Sequence, residues 1–177
     1  MMFCVATVAF AQGGADYVVD VNKSTLNWHA EKVVGDHRGT VNIKDGAVKV
    51  NGNAVTGGTF VIDMTSIVCS DNARVGQHLL NQDFFDVEKF PTATFVISSV
   101  ANGTVKGKLT IKGITKDLSF PAQITVNGNN LNAKATIKVN RLEYDIRYRS
   151  AAFFSDLGDR AIKDEFSLTL DLTATKK

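Results

Sequence analysis

The feature that most constrains this chain is alternation. Apolar side chains recur at every second residue in one stretch after another, and only an extended strand sends such a set to one side. Leu26, Trp28 and Ala30 are interleaved with Asn27, His29 and Glu31; Phe60, Ile62 and Met64 share a side; Phe95 and Ile97 alternate with Thr94 and Ser98. Val105, Gly107, Leu109 and Ile111 keep the rhythm, then Leu131, Ala133, Ala135, Ile137 and Val139, and finally Phe166, Leu168, Leu170 and Leu172. Asp45-Gly46, Asn51-Gly52, Asn102-Gly103 and Asn127-Gly128 offer the positive φ that tight hairpins use, so neighbouring strands are expected to be antiparallel. Strands with one dry face must bury it against each other, either as a sandwich or as a sheet closed on itself, and periodicity does not choose between them.

Two segments break the rhythm. Residues 70–81 open with the cap-type residues Ser70, Asp71 and Asn72 and place Val75 and Leu79 four apart, which predicts a short helix. Residues 155–163 read as a loop around Gly158 with one helical turn. No linker or repeat divides residues 12–177, which are expected to form one domain. With 20 basic and 18 acidic side chains and a net charge of +2, electrostatics give no ground for a nucleic-acid partner. Nothing after residue 12 approaches the ~18–20 consecutive apolar residues of a membrane helix. Residues 1–11 are apolar and small, and Ala9-Phe10-Ala11 has the spacing of a signal-peptidase site, although a basic n-region is missing. The expectation is a signal-peptide remnant cleaved after Ala11 and a periplasmic or secreted domain. Cys4 would leave with it, and Cys69 would remain as a single, small buried thiol with no disulfide partner.

Several local strings then resemble one family. The longest runs from Asp63-Met64-Thr65-Ser66-Ile67 through Arg74 and His78-Leu79 to Asp83-Phe84-Phe85-Asp86 and Phe90-Pro91-x-Ala93-Thr94-Phe95. Trp28-His29, the stretch Gly107 to Lys116, Arg141, Tyr144-Asp145-Ile146, Phe153-Phe154, Leu157-Gly158-Asp159 and Ile162-Lys163-Asp164 add to it. Together, from about Tyr17 to Leu172, they resemble the YceI-like family. One departure is Glu31, where members often carry valine two positions after the histidine. The resemblance implies an all-β fold, an extended eight-stranded antiparallel lipocalin-like barrel with one or two short helices, whose lumen binds a polyisoprenoid-type lipid.

In such a barrel the polar members of each alternation face water. Trp28, Ile43, Phe60, Ile62, Phe95 and Ile97 then face the lumen, as do Leu109, Ile111, Leu131, Ile137, Phe166 and Leu168. These twelve are the expected lipid contacts; the competing reading is that they simply pack together. Arg74 and His78, four apart on the helix, and Arg141, Tyr144 and Arg147 are the expected head-group partners, against the alternative that the arginines pair with Glu143, Asp145 or Asp159. The ligand class is an isoprenoid, a quinone or another long-chain lipid, carried, stored or protected. No cofactor or metal is expected, membrane contact is transient, and a homodimer is left open. Two other functions are weighed: a lipid-modifying enzyme using His78 with Asp83 or Asp86, and a barrel whose outer surface alone binds a partner. No CxxC, HExxH, GxSxG or P-loop string supports catalysis.

Overall fold

In the computed structural model, which describes residues 14–177, the alternating stretches are strands: β1 (Ala15–Val19), β2 (Thr25–Lys32), β3 (Asp36–Asn51), β4 (Ala54–Cys69), β5 (Thr92–Ala101), β6 (Thr104–Ile111), β7 (Ile114–Asn127), β8 (Asn130–Asn140) and β9 (Ile162–Lys176). One helix, α1 (Ala73–Leu79), joins β4 to β5. The expected leader lies outside the described residues. Every ladder is antiparallel. β3 pairs with β4 on one edge and with β1 and β2 on the other, while β9 pairs with β8 and again with β1 and β2, so the sheet closes. β1 and β2 are successive lengths of one stave between β3 and β9, which makes nine strands an eight-stave barrel.

The break in that stave is a hydrogen-bonded excursion. Asp20 Oδ1 accepts from the backbone N–H groups of Asn22 and Lys23 at 3.1 and 3.3 Å, and Ser24 Oγ donates to Asp20 O at 2.8 Å while accepting from Thr173 N at 3.1 Å. An Asx turn of this kind lets the chain leave the ladder and rejoin it without orphaned donors.

Three of the four expected Gly turns close hairpins, at Asn51-Gly52, Asn102-Gly103 and Asn127-Gly128. Asp45-Gly46 does not. It lies within β3, where the pairing to β4 slips by one residue between Ile43 and Asp45. Inward residues are odd-numbered up to Ile43 and even-numbered from Gly46, as a β-bulge requires. What Gly46 contributes is its missing Cβ, which would stand 2.7 Å from Val19 Cγ2 and 2.9 Å from Phe60 Cδ1. Lys112-Gly113 supplies a hairpin the sequence reading passed over, with φ of 52° and 73°. Asn72 is the helix N-cap, its side chain accepting from Arg74 N and Val75 N. The loop before β9 carries the expected helical turn as a 3₁₀ turn at Gly158–Arg160, and a second 3₁₀ turn, Arg141–Tyr144, follows β8.

The barrel has two unlike ends. Tight hairpins close the lower one, together with the start of β1, where Tyr17 Oη donates to Gly128 O at 2.6 Å. Across the upper end lie the α1–β5 segment and the 20-residue-scale connection from β8 to β9, both irregular. The β7–β8 ladder runs only from Ala122–Ala135 to Asn127–Asn130; above it the strands part, and the 3₁₀ turn Arg141–Tyr144 packs against β7.

Candidate functional site

Inside the barrel are two abutting cavities of about 110 and 120 Å³. Leu26, Ile62, Leu109 and Leu168 belong to both walls and form a neck between them. The lower wall is apolar throughout. Ile43, Phe60, Phe95, Ile97, Leu131 and Ile137 line it besides the neck residues, and Trp28, Ile111 and Phe166 line the upper cavity, so all twelve residues expected at the lumen stand at a cavity wall. Phe120, Ala122 and Ile124 of β7 were missed because Pro121 interrupts that strand's pattern; Leu79, Phe84, Phe85 and Ile146 were missed because loops carry no period.

Two glycines let aromatic rings lie flat on the sheet. A Cβ on Gly39 would fall 2.8 Å from the Trp28 ring, and one on Gly107 would fall 2.6 Å from Phe95 Cζ. The Trp28 indole N–H donates to Val68 O at 3.1 Å, which fixes its ring plane as one wall of the upper cavity. Phe95 fills the space Gly107 leaves, whereas Ala133 keeps the lower wall open.

The expected head-group residues do not converge. Arg141, 4% exposed, is the only one of the five in a cavity wall, and all five of its N–H donors are engaged. They meet Lys163 O at 3.1 Å, Ile146 O at 3.0 Å, Tyr148 O at 2.9 Å, Ile162 O at 3.1 Å and Asp164 Oδ1 at 3.3 Å. Burial lowers its pKa, and Asp164 opposes that shift. Arg141 therefore staples both arms of the β8–β9 connection and has no donor left for a ligand. Tyr144, fully buried beside it, has its phenol pushed up to about 12 by desolvation and then by Glu143. Arg147 turns outward, 2.8 Å from Asp145, with its guanidinium 4.6 Å above the Phe153 ring. Arg74 is exposed on α1.

His78 stands over the rim rather than in it. Its Nε2 is 2.8 Å from Asp83 Oδ2, and its ring meets Phe84 and Tyr148 edge-on at 5.1 and 4.8 Å. It thereby joins the α1–β5 segment to the β8–β9 connection. Neither His78 nor Asp83 lines either of the two cavities, although His78 packs on Phe84, which lines the upper one. Lys163 also borders the upper cavity, but it has the outward parity of β9, is exposed, and its ammonium is paired with Glu31, the residue that departs from the family pattern.

The family model described as YceI-like domain matches residues 17–174. A UPF0312 protein of Staphylococcus aureus (strain USA300) is 30% identical over 146 residues, covering 77% of this chain and 85% of that protein. One from Vibrio cholerae serotype O1 is 26% identical over 168 residues, covering 86% and 89%. Among solved structures, Burkholderia cenocepacia BcnA superposes with a TM-score of 0.67 at 22% identity, over 89% of this chain and 99% of that one. A polyisoprenoid binding domain from Saccharophagus degradans gives 0.66 at 13% identity, over 91% and 98%. The two solved structures share the fold, and with the family match spanning nearly every described residue this chain belongs to the YceI-like domain family.

Proposed function

We propose that this protein is a binding protein that takes the tail of an isoprenoid-like lipid into its barrel and shields it from water during transport, storage or protection. The observation that carries this reading is the pair of joined cavities, lined almost wholly by carbon. The Saccharophagus degradans domain, named for polyisoprenoid binding, has the same fold and supports it. An apolar void of ~150 Å³ takes up benzene, so each cavity accommodates about one five-carbon unit and the pair holds two end to end. Burial at ~0.8 kcal/mol per CH₂ contributes roughly 3–4 kcal/mol per unit before association costs. Longer tails then require the neck residues to turn aside.

Exposed Val33 and Val34 stand beside the β8–β9 connection, tied to it by Val33 N to Ala161 O at 3.0 Å, and Phe153 and Phe154 of that connection are half-exposed. Four apolar side chains at the end nearer the upper cavity suit brief contact with a bilayer, in keeping with an exported, periplasmic or secreted protein. Organic extraction and native mass spectrometry of the purified protein test the reading. A released lipid with a prenyl or comparable long apolar tail is expected. Protein that is repeatedly lipid-free and takes up no added prenyl alcohol refutes it.

A further inference from the structure

We propose that His37, Cys69 and Asp71 form a site for a zinc-class divalent cation on the upper rim of the barrel, outside the lumen. Cys69 and Asp71 are two residues apart but His37 is remote from both, and no metal-ligand spacing links them, which is why the sequence reading expected no metal. The fold brings them together: His37 stands at the start of β3, Cys69 ends β4, and Asp71 lies in the turn before α1. Their ligand atoms all lie within 4.8 Å of one another. Asp71 is the hub, with Oδ2 2.7 Å from His37 Nδ1 and Oδ1 accepting from Cys69 Sγ at 3.2 Å.

A tetrahedral zinc with bonds of about 2.0 Å to N or O and about 2.3 Å to S separates its ligand atoms by roughly 3.3–3.5 Å. The two separations from Asp71, 2.7 and 3.2 Å, are slightly shorter than that and all three atoms lie within 4.8 Å, so a small outward adjustment of side chains opens the place for an ion. Imidazole with thiolate selects zinc over magnesium or calcium, which prefer all-oxygen shells, and three protein ligands leave the fourth position to water. Arg38 N–H also donates to Asp71 Oδ1, at 3.2 Å, and its guanidinium is engaged with Asp36 Oδ2 at 3.3 Å. The first contact orients the carboxylate, as the partners of a metal ligand characteristically do. On uptake the Cys69 S–H bond breaks, its proton passes to water, and the sulfur's electron pair forms the bond to the metal; no electron is transferred. The ion would tie the root of the α1 segment to β3.

The full chain, stripped with chelator and desalted, is titrated with zinc alone by calorimetry and with cobalt alone by absorbance. Expected are one equivalent bound, close to one proton released from the thiol per ion, and a cobalt spectrum with tetrahedral bands and a thiolate charge-transfer band. Cys69→Ser should abolish the charge-transfer band, and Asp71→Asn and His37→Gln should each weaken zinc at least tenfold. His29→Gln, which touches Asp36 and not the cluster, should leave binding unchanged. Absence of stoichiometric zinc uptake, a wild-type cobalt spectrum without the thiolate band, or uptake that persists in Cys69→Ser and His37→Gln overturns the proposal. The wild-type cobalt spectrum decides the matter even if a variant fails to fold.

Discussion

Ala133→Phe is the sharpest probe of the lumen. Ala133 pairs with Ile124 of β7 and Leu172 of β9, and its side chain lies on the wall of the lower cavity. A phenyl ring is the size of the benzene that needs ~150 Å³ of void, so it fills a cavity of about 110 Å³ and leaves no room for a tail. Overpacking of a core typically destabilises by ~1–3 kcal/mol, and because the ring exceeds the cavity the upper figure applies. At roughly 2–4 °C per kcal/mol for a chain of this size, the melting temperature should fall by roughly 6–12 °C. A ten-carbon prenyl alcohol loses burial of one five-carbon unit, ~3–4 kcal/mol, or more than about 100-fold in Kd. A five-carbon alcohol, seated above the neck, should change less than threefold. Trp28, the one tryptophan and part of the upper wall, reports both titrations by fluorescence. Equal affinity for the ten-carbon ligand in a folded variant would refute the claim that tails reach the lower cavity.

Other perturbations test the rim. Arg141→Met leaves four carbonyls and Asp164 without their donor and should destabilise by ~3–5 kcal/mol in denaturant titration; Arg147→Ala, exposed, should stay within ~0.5 kcal/mol. Tyr144 binds its proton more tightly folded than unfolded, so its contribution is complete below pH ~10 and is lost as pH rises through about 12. Tyrosinate absorbance should show it ionising above the ordinary phenol range, and Tyr144→Phe should flatten the alkaline limb of the stability curve. Phe153→Ser combined with Phe154→Ser should slow transfer of a fluorescent prenyl probe from vesicles without changing Kd; an unchanged rate counts against bilayer contact. His78→Ala, which removes the ring between Phe84 and Tyr148, should speed lipid exchange several-fold, and an unaltered rate would dismiss its role as a clasp.

The wall was legible because strand geometry is binary: a residue is on one face or the other, and a sustained run of alternation settles which. That is why alternation could put twelve residues on one face, while it took the family resemblance to make that face a lumen. Asp45-Gly46 shows where the logic stops. A Gly serves a positive-φ turn or a close approach equally well, and only the neighbours, Val19 and Phe60, distinguish the uses. The rim was less legible for a different reason. Arg141, Tyr144 and Arg147 are within a few residues of each other, yet two point inward and one outward. An irregular turn assigns directions through its own hydrogen bonds, which no period encodes. Lys163 and the His37–Cys69–Asp71 cluster depend on distant strands meeting, so they become visible only once the register of the sheet is known.

That same contrast between regular wall and irregular rim says how a tail gets in. At the lower end the hairpins are continuous with the ladders, and opening them means breaking backbone pairs on both flanking strands. At the upper end closure rests on side chains: the ring contacts of His78, Phe84 and Tyr148, and the Phe85–Phe166 pair at 6.4 Å. The β8–β9 connection is held by Arg141, so of the two covers it is the harder to displace. The α1–β5 segment is hydrogen-bonded chiefly to itself, with Phe84 N to Asn81 O, Phe85 N to Leu79 O and Phe90 N to Asp86 O, while Met64 N to Pro91 O anchors its far end. A segment that keeps its own hydrogen bonds when it moves away loses mainly apolar contacts, and an incoming tail replaces those. Opening there is thus the least costly route, and under the proposed function it would admit a lipid tail first and leave the head group at the rim.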